Sequence, residues 1–130
     1  MRYLLIAVML LGLSVVSAAA QTAETVKVEA GKQASAQHGK VRIKFIEVVE
    51  DSRCPVGVAC VWAGNAKVKA EVSYKGKKKI VELNTGIAER SADVDVWTIE
   101  LVSLMPRRTK EAKPGPVRYV AAFTITQRKR

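Results

Sequence analysis

The chain has 130 residues, of which 48% are hydrophobic and 26% charged, and its 22 Lys and Arg against 12 Asp and Glu give a formal charge of +10 at pH 7. This length allows one domain and little else, and the apolar content excludes wholesale disorder. One His and two Cys leave almost no soft donors for a metal site.

The first twenty residues, 1–20, have the layout of a secretory signal peptide. Arg2 gives a basic start, an apolar run follows over residues 4–13, and Ala18 and Ala20 stand at the −3 and −1 positions of a small-residue cleavage site. The alternative is a membrane anchor, which the marginal length of the uncharged stretch and its Ala-rich end disfavour. We therefore predict export to the periplasm or the outside of the cell, with cleavage after Ala20.

The remaining residues, 21–130, alternate apolar and polar side chains with a period of two, which predicts the strands of one all-β domain. Lys75-Gly76-Lys77 predicts a tight hairpin turn, and residues 87–93 could hold one helical turn. Because each strand has an apolar and a wet face, we expect an antiparallel β-sandwich or small barrel. A seventh strand is predicted if residues 33–37 pair. The six strands predicted from the alternation alone are the runs 26–29, 41–45, 66–74, 78–84, 97–101 and 117–125.

The two cysteines, Cys54 and Cys60, both follow the predicted cleavage site. In an oxidising compartment such a pair closes, and the loop-entropy relation gives a stabilisation of about 2 kcal/mol for so small a ring. The C-x5-C spacing differs from the C-x-x-C of redox catalysts, and a metal site would need two further ligands where His38 is the one soft donor left. We therefore predict a structural disulfide.

Residues 51–66, DSRCPVGVACVWAGNA, break the strand alternation. Asp51 and Ser52 suit a turn, because their short side chains bond to nearby backbone N–H groups. Trp62 follows the second cysteine closely enough to pack over the sulfurs or over the open end of the core. Gly64 then offers a turn into the strand that begins at the end of the segment.

An Asp-Ser-Arg-Cys-Pro run followed by spaced Val, Cys, Trp and Gly residues distinguishes this segment; its members are Asp51, Ser52, Arg53, Cys54, Pro55, Val58, Cys60, Trp62 and Gly64. The run resembles the motif of a family of small exported bacterial proteins of unknown function, roughly D-S-R-C-P-x-x-V-x-C-x-W-x-G, and weaker agreement extends over residues 25–126. The family has no assigned activity, so the resemblance implies export and an all-β fold and adds no mechanism. Its members often carry a lipid-anchored N-terminal Cys, which this sequence lacks.

Candidate catalytic residues are few. His38 lies in a polar, Gly-flanked stretch without a positioned nucleophile or acid, as a solvated loop histidine does. The paired acids Glu50-Asp51 and Asp93/Asp95 are better explained as turn and strand-edge residues than as glycosidase carboxyls. The sequence contains no Gly-rich phosphate loop, H-E-x-x-H or G-x-S-x-G. We therefore expect a protein without enzymatic activity or cofactor.

Basic residues form three clusters, and such clusters attract polyanions by counterion release. The polyanions available outside the cytoplasm are lipopolysaccharide, acidic glycans, lipid head groups and extracellular DNA. Nucleic-acid recognition usually adds exposed aromatics for stacking, which are few here, and we expect no intracellular nucleic acid as a partner. The alternative is that the lysines keep the sheet soluble and its edges unpaired. The candidate polyanion-binding residues are Lys77, Lys78 and Lys79 in the first cluster and Arg107, Arg108 and Lys110 in the second, and the third is Arg128-Lys129-Arg130.

Two hypotheses of function follow. The first is an exported, monomeric, non-enzymatic β-domain that binds an anionic envelope component through its basic surface. The alternative is an inhibitor of an extracellular hydrolase, in which the Cys54–Cys60 loop with Val56 and Val58 enters the cleft of an extracellular protein.

Overall fold

The computed structural model of this chain describes residues 15, 23–86, 89–110 and 116–128. The predicted signal peptide, apart from Val15, lies outside these residues. So do Lys129 and Arg130 of the third basic cluster.

The described ranges form eight β-strands and no helix, so they contain no helix that could cross a membrane. The strongest alternation of buried and more exposed side chains runs along the fourth strand, as the sequence predicts. The strands are β1 (Glu24–Glu29), β2 (Gln33–Ala36), β3 (Val41–Asp51), β4 (Ala66–Tyr74), β5 (Lys77–Asn84), β6 (Ser91–Val94), β7 (Trp97–Met105) and β8 (Val120–Gln127).

The strands form two antiparallel four-stranded sheets, with the orders β1-β8-β7-β6 and β2-β3-β4-β5. The chain runs through β2 to β5 as a meander, crosses to β6, and continues through β7 to β8, beside which β1 lies. This neighbour order is that of an up-and-down barrel, but no strand ladder joins β1 to β2 or β5 to β6. The prediction of a sandwich is confirmed, and the closed-barrel alternative is wrong.

The core lies between the two sheets, where the apolar faces of the strands meet. Phe45 of β3 and Phe123 of β8 pack edge to face across the middle, with ring centroids 6.3 Å apart. Tyr74 and Trp97 make a second edge-to-face pair, 5.7 Å apart, toward one end. Aromatic pairs of this geometry contribute about 0.5–1.5 kcal/mol beyond their buried area, so they help to fix how the sheets face each other.

Two local predictions resolve differently. The conditional strand at 33–37 forms as β2, paired with residues 41–44 of β3. The helical turn suggested over 87–93 is wrong for its described residues, because residues 91–94 form β6 and pair with β7. Pairing with β7 overrides the weak local pattern of so short a strand.

The strand register defines two ends of the sandwich. At the motif end, Asp51 pairs with Ala66 and Met105 pairs with Val120. At the opposite end, which we call the hairpin end, Tyr74 pairs with Lys77 around the Lys75-Gly76 turn. The segment 51–66 and the turn therefore lie a full strand length apart.

The two faces of β5 give a stability test. Leu83 is fully buried and Ile80 is 58% exposed on the same strand. Leu83→Ala should lower the free energy of unfolding by about 2–5 kcal/mol through loss of buried contacts and formation of a cavity, whereas Ile80→Ala should change it by less than about 1 kcal/mol. Urea denaturation of both variants measures the difference, and equal losses would contradict the register of β5.

Candidate functional site

The segment that connects β3 to β4, residues 52–65, continues the hairpin beyond the ends of the two strands. The Ser52 N–H donates to the Asn65 carbonyl (2.8 Å), and the Cys54 N–H donates to the Ala63 carbonyl (3.0 Å). The predicted Cys54–Cys60 disulfide is confirmed, with a Cα–Cα distance of 5.9 Å. A disulfide in a small domain indicates an oxidising, extracytoplasmic compartment. We call residues 52–65 the disulfide hairpin.

The guanidinium of Arg53 joins this hairpin to the other sheet. Its Nε donates to Asp51 Oδ1 (2.8 Å) and its Nη2 to Asp51 Oδ2 (2.9 Å). On the other side, Nη1 donates to the Leu104 carbonyl (2.6 Å) and Nη2 to the Pro106 carbonyl (2.9 Å). The planar fork of an arginine suits such a set of acceptors, which the single ammonium of a lysine could not match. The motif arginine therefore ties the end of β7 to the end of β3.

Asp51 is the acceptor at the centre of this cluster. Besides Arg53, the Tyr119 hydroxyl donates to its Oδ2 (3.0 Å), and Arg108 Nη1 donates to its backbone carbonyl (3.2 Å). Tyr119 lies just before β8. It is 68 residues from Asp51 in sequence, so the motif did not predict this contact. With these bonds the carboxylate has a positioning role, since its oxygens are engaged by donors of the same domain.

The ionisation of the cluster follows from these contacts. Burial alone would raise the pKa of Asp51, but the hydrogen bonds from Arg53 and Tyr119 and the positive charge of Arg53 outweigh it, so the pKa is lowered. The hydrogen bond to Asp51, opposed in part by burial, raises the pKa of Arg53. Burial and the bond to Asp51 raise the pKa of the Tyr119 phenol. At neutral pH the cluster is thus an ion pair with a neutral phenol.

Gly64 lets the two arms of the disulfide hairpin approach each other. A Cβ atom at this position would lie 1.9 Å from the Ser52 carbonyl oxygen, and the backbone φ is +73°. Either condition favours glycine, and together they exclude any other side chain without a backbone shift. The turn that the sequence predicts at Gly64 is present, and the glycine there allows the backbone to approach Ser52 closely.

Two asparagines, which sequence reasoning did not single out, hold the base of the hairpin. Asn65 Nδ2 donates to Asn84 Oδ1 (2.8 Å), and the Gly86 N–H donates to Asn65 Oδ1 (3.1 Å). Asn84 is 4% exposed, and its own Nδ2 lies 3.4 Å from the Glu89 carbonyl. A buried amide is stable only when its donors and acceptors are paired, and these bonds extend the hairpin's support to the segment that follows β5.

The tip of the disulfide hairpin, residues 56–63, projects into solvent, and all eight of its residues are exposed. Trp62 is 82% exposed and Val61 92% exposed, so the expectation that Trp62 packs over the sulfurs or the core is wrong. The physical reason is the pairing of the two arms, which carries the tip beyond the sheets. Val56 and Val58 of the predicted binding loop are exposed as well.

The structure separates the predicted basic clusters. Arg107, Arg108 and Lys110 lie exposed at the motif end. There the Val56 N–H donates to the Arg108 carbonyl (2.8 Å), and Val56 forms a parallel bridge with Thr109. In the described part of the chain, none of these three basic side chains forms an ion pair.

The lysines Lys77, Lys78 and Lys79 lie at the hairpin end instead. Lys79 Nζ donates to the Asp93 carbonyl (3.0 Å), across the seam between β5 and β6. Lys78 lies 3.9 Å from a Glu71 carboxylate oxygen on β4. These contacts give two of the three lysines partners within the domain.

His38 lies at the hairpin end, in a surface pocket of about 470 Å³ whose lining includes Glu24 and Gln37. Glu24 Oε2 accepts a hydrogen bond from the Gln37 N–H at 2.5 Å. Among the described lining residues Glu24 is the one carboxylate, so the pocket does not combine His38 with a pair of acids. The described residues also hold no cluster of three His, Cys, Asp or Glu side chains that could bind a metal ion.

The acid pairs considered in the sequence occupy separate structural positions. Asp93 of β6 accepts a hydrogen bond from the Thr98 hydroxyl (2.8 Å) and lies 3.7 Å from Arg128 Nε. Asp95 is in the β6–β7 turn with a φ of +55°, as Asp residues in tight hairpin turns often are. Glu50 is exposed on β3 opposite Lys67, while Asp51 binds Arg53.

No protein-family model matches the chain, and comparisons with curated proteins and with solved structures find no match either. The resemblance to the exported family therefore stays a prediction, carried by the motif residues alone.

The close contact at Gly64 predicts an unusual sensitivity to one methyl group. Gly64→Ala should lower the free energy of unfolding by about 3–5 kcal/mol, since it combines the cost of a left-handed backbone with overpacking. Gly76→Ala is the matched control, because its φ is +74° and nothing lies within 4 Å of its Cβ position; it should cost about 1–2 kcal/mol. Urea denaturation compares them, and equal costs would contradict the contact with Ser52.

The lowered pKa of Asp51 predicts a pH-dependent contribution to stability. A carboxyl whose pKa is lower in the folded chain stabilises the fold above its unfolded pKa of about 3.9, and this contribution is lost as pH falls through the folded value. Asp51→Asn should be less stable than wild type by about 3 kcal/mol at pH 7, and the gap should narrow as pH falls below about 4. Denaturation midpoints between neutral and acidic pH measure the gap, and a gap independent of pH would refute the ion pair.

Proposed function

We propose that this protein is an exported binding protein, without enzymatic activity, that attaches to an anionic component of the cell envelope through the motif end. The contact surface consists of the tip of the disulfide hairpin and the basic residues Arg107, Arg108 and Lys110 beside it. The observation that carries the proposal is the juxtaposition of an exposed apolar tip and exposed cationic side chains at one end of the domain. Export is supported by the signal-peptide pattern of residues 1–20 and by the disulfide.

The charges of the two ends favour the motif end over the lysine cluster. At the hairpin end the lysines have acidic or carbonyl partners, since Lys78 lies 3.9 Å from a Glu71 carboxylate oxygen and Lys79 donates to the Asp93 carbonyl. A surface of mixed sign gives a weak field at a distance. By contrast, none of the basic side chains of Arg107, Arg108 and Lys110 forms an ion pair within the described residues, and Glu111 is the one acid that directly adjoins this segment in sequence. An anionic ligand is therefore attracted more strongly to the motif end.

This proposal predicts which charges control binding. Replacing Arg107 and Lys110 by Gln should weaken retention on heparin or lipopolysaccharide about 30-fold, since each basic residue near an anionic surface contributes about 1 kcal/mol. Arg108 is left in place because it donates to the Asp51 carbonyl. The matched control, Lys77→Gln with Lys78→Gln, removes two charges at the hairpin end and should have a much smaller effect.

Salt titration of the retention completes the test, because screened binding weakens as ionic strength rises. Indifference of the wild-type protein to every polyanion at low salt would refute the proposed function. Equal losses in the two double variants would refute its assignment to the motif end.

A second candidate function is inhibition of an extracellular hydrolase by the disulfide hairpin. It is favoured by the exposure of Val56 (48%) and Val58 (37%) within a ring that the disulfide already closes, because a preorganised loop loses less conformational entropy on binding. Replacing both residues by Asp should then abolish inhibition without changing the unfolding midpoint. A panel of secreted proteases and lysozymes, none of them inhibited by the wild-type protein, would exclude this candidate.

A further inference from the structure

The tip of the disulfide hairpin is an apolar protrusion. Its sequence, VGVACVWA, contains no charged side chain, and its most exposed members are Val61 and Trp62. Exposed large apolar side chains that occur singly need no explanation, but a contiguous set indicates a surface that is covered in use.

Other exposed apolar side chains gather at the same end of the sandwich. Met105 ends β7, and Val117 precedes β8, whose first residue pairs with Met105. Away from the motif end, in the part of the domain between 23 and 128 that the structure describes, the exposed large hydrophobics are Ile80 and Val102. Those at the motif end are Val49, Val56, Val58, Val61, Trp62, Met105 and Val117.

The exposure of the tip is enforced by its base. Arm-to-arm hydrogen bonds and the disulfide extend the hairpin beyond the sheets, and the bond from the Val56 N–H to the Arg108 carbonyl anchors its first tip residue to the segment that follows β7. Arg53 and Gly64 fix the arms themselves. A loop held in this way keeps its conformation when its tip passes from water into another environment.

The chemistry of the tip selects its partner. A protein cleft recognises a loop through apolar contacts together with precisely placed polar groups, and the side chains at 56–63 provide one such group, the Trp62 indole N–H. At a lipid bilayer, Trp partitions to the interface, apolar side chains reach the acyl boundary, and basic side chains meet the phosphates. The tip has this combination, since Arg108 and its neighbours lie beside Val56.

We infer that the tip of the disulfide hairpin inserts into the interfacial region of an anionic phospholipid bilayer, with Trp62 and Val61 in the interface and Arg107 and Lys110 on lipid phosphates. The inference rests on the proposed function and names its anionic component as lipid head groups. Binding by one apolar loop and a few charges is reversible, because either contribution alone gives weak attachment.

The two tryptophans of the chain make the insertion measurable. Trp62 is 82% exposed and Trp97 is 3% exposed, so a change of environment on binding is reported by Trp62 over a constant background. Vesicles of phosphatidylcholine with phosphatidylglycerol should shift the emission to shorter wavelength, and vesicles with brominated acyl chains should quench it. In Trp62→Phe the remaining indole is the buried Trp97, so the vesicles should not shift the tryptophan emission of this variant.

Paired variants separate insertion from charge attraction. Trp62→Ser should lower the partition coefficient on the anionic vesicles by about tenfold or more, because it removes the principal apolar anchor. Ile80→Ser, a matched change at an exposed apolar side chain remote from the tip, should leave partitioning unchanged. Trp62→Ser should also leave heparin retention unchanged, since it removes no charge, and an unchanged urea midpoint shows that it folds.

The outcomes distinguish the inference from the proposed function. If the protein binds to anionic vesicles and to heparin but brominated lipid does not quench the Trp62 emission, the insertion is wrong. The protein then attaches to the vesicles through its charges alone. Absence of binding to both at low salt would overturn the proposed function itself. If Trp62→Ser instead abolishes inhibition of a hydrolase while vesicle binding is unaffected, the tip recognises a protein cleft and the inference is wrong.

Discussion

The hydrogen bonds of the Arg53 guanidinium are the interaction on which the motif end depends. They join Asp51, at the end of β3, to the Leu104 carbonyl of β7 in the opposite sheet and to the Pro106 carbonyl just beyond β7. No strand ladder crosses between the sheets, so their relative position depends on apolar packing, which is not directional, and on a few hydrogen bonds. At the hairpin end these include the bonds from Lys79 to the Asp93 carbonyl and from the Gln37 N–H to Glu24. The arginine therefore supplies a directional link where the core itself ends, and Tyr119 adds a second donor to the same carboxylate.

Close backbone packing makes this link possible. A Cβ atom at Gly64 would collide with the Ser52 carbonyl, and one at Gly86 would lie 2.8 Å from the Gly64 carbonyl oxygen. Three backbone segments thus approach more closely than side chains would allow, and the Asn65 side chain bonds to Asn84 and to the Gly86 N–H between them. The glycine and the arginine of the motif serve one purpose, which is to fix the direction in which the hairpin leaves the domain.

The period of two in the sequence was enough to predict an all-β domain with one apolar face on each strand, because it reports directly which side chains face the core. It left the sandwich and the small barrel as alternatives, since both bury the same faces. It did not predict the placement of Trp62, since a large apolar side chain outside a strand has no periodicity to indicate its face. It also could not show that Lys79 reaches the Asp93 carbonyl on the neighbouring sheet, or that Tyr119 reaches Asp51. These contacts depend on how distant strands are brought together. The sequence therefore identified the motif residues but did not predict which residues they contact.

An exposed apolar tip is a liability unless two conditions hold together. Its base must be rigid, or the valines and Trp62 would collapse onto the domain, and the molecule must repel its own copies, or the tips would associate. Arg108 contributes to both conditions. Its guanidinium donates to the Asp51 carbonyl and its own carbonyl accepts from Val56, while its charge lies beside the tip. The basic character of the motif end therefore has a structural reason as well as the binding role that we propose, and a change at Arg108 alone cannot separate them.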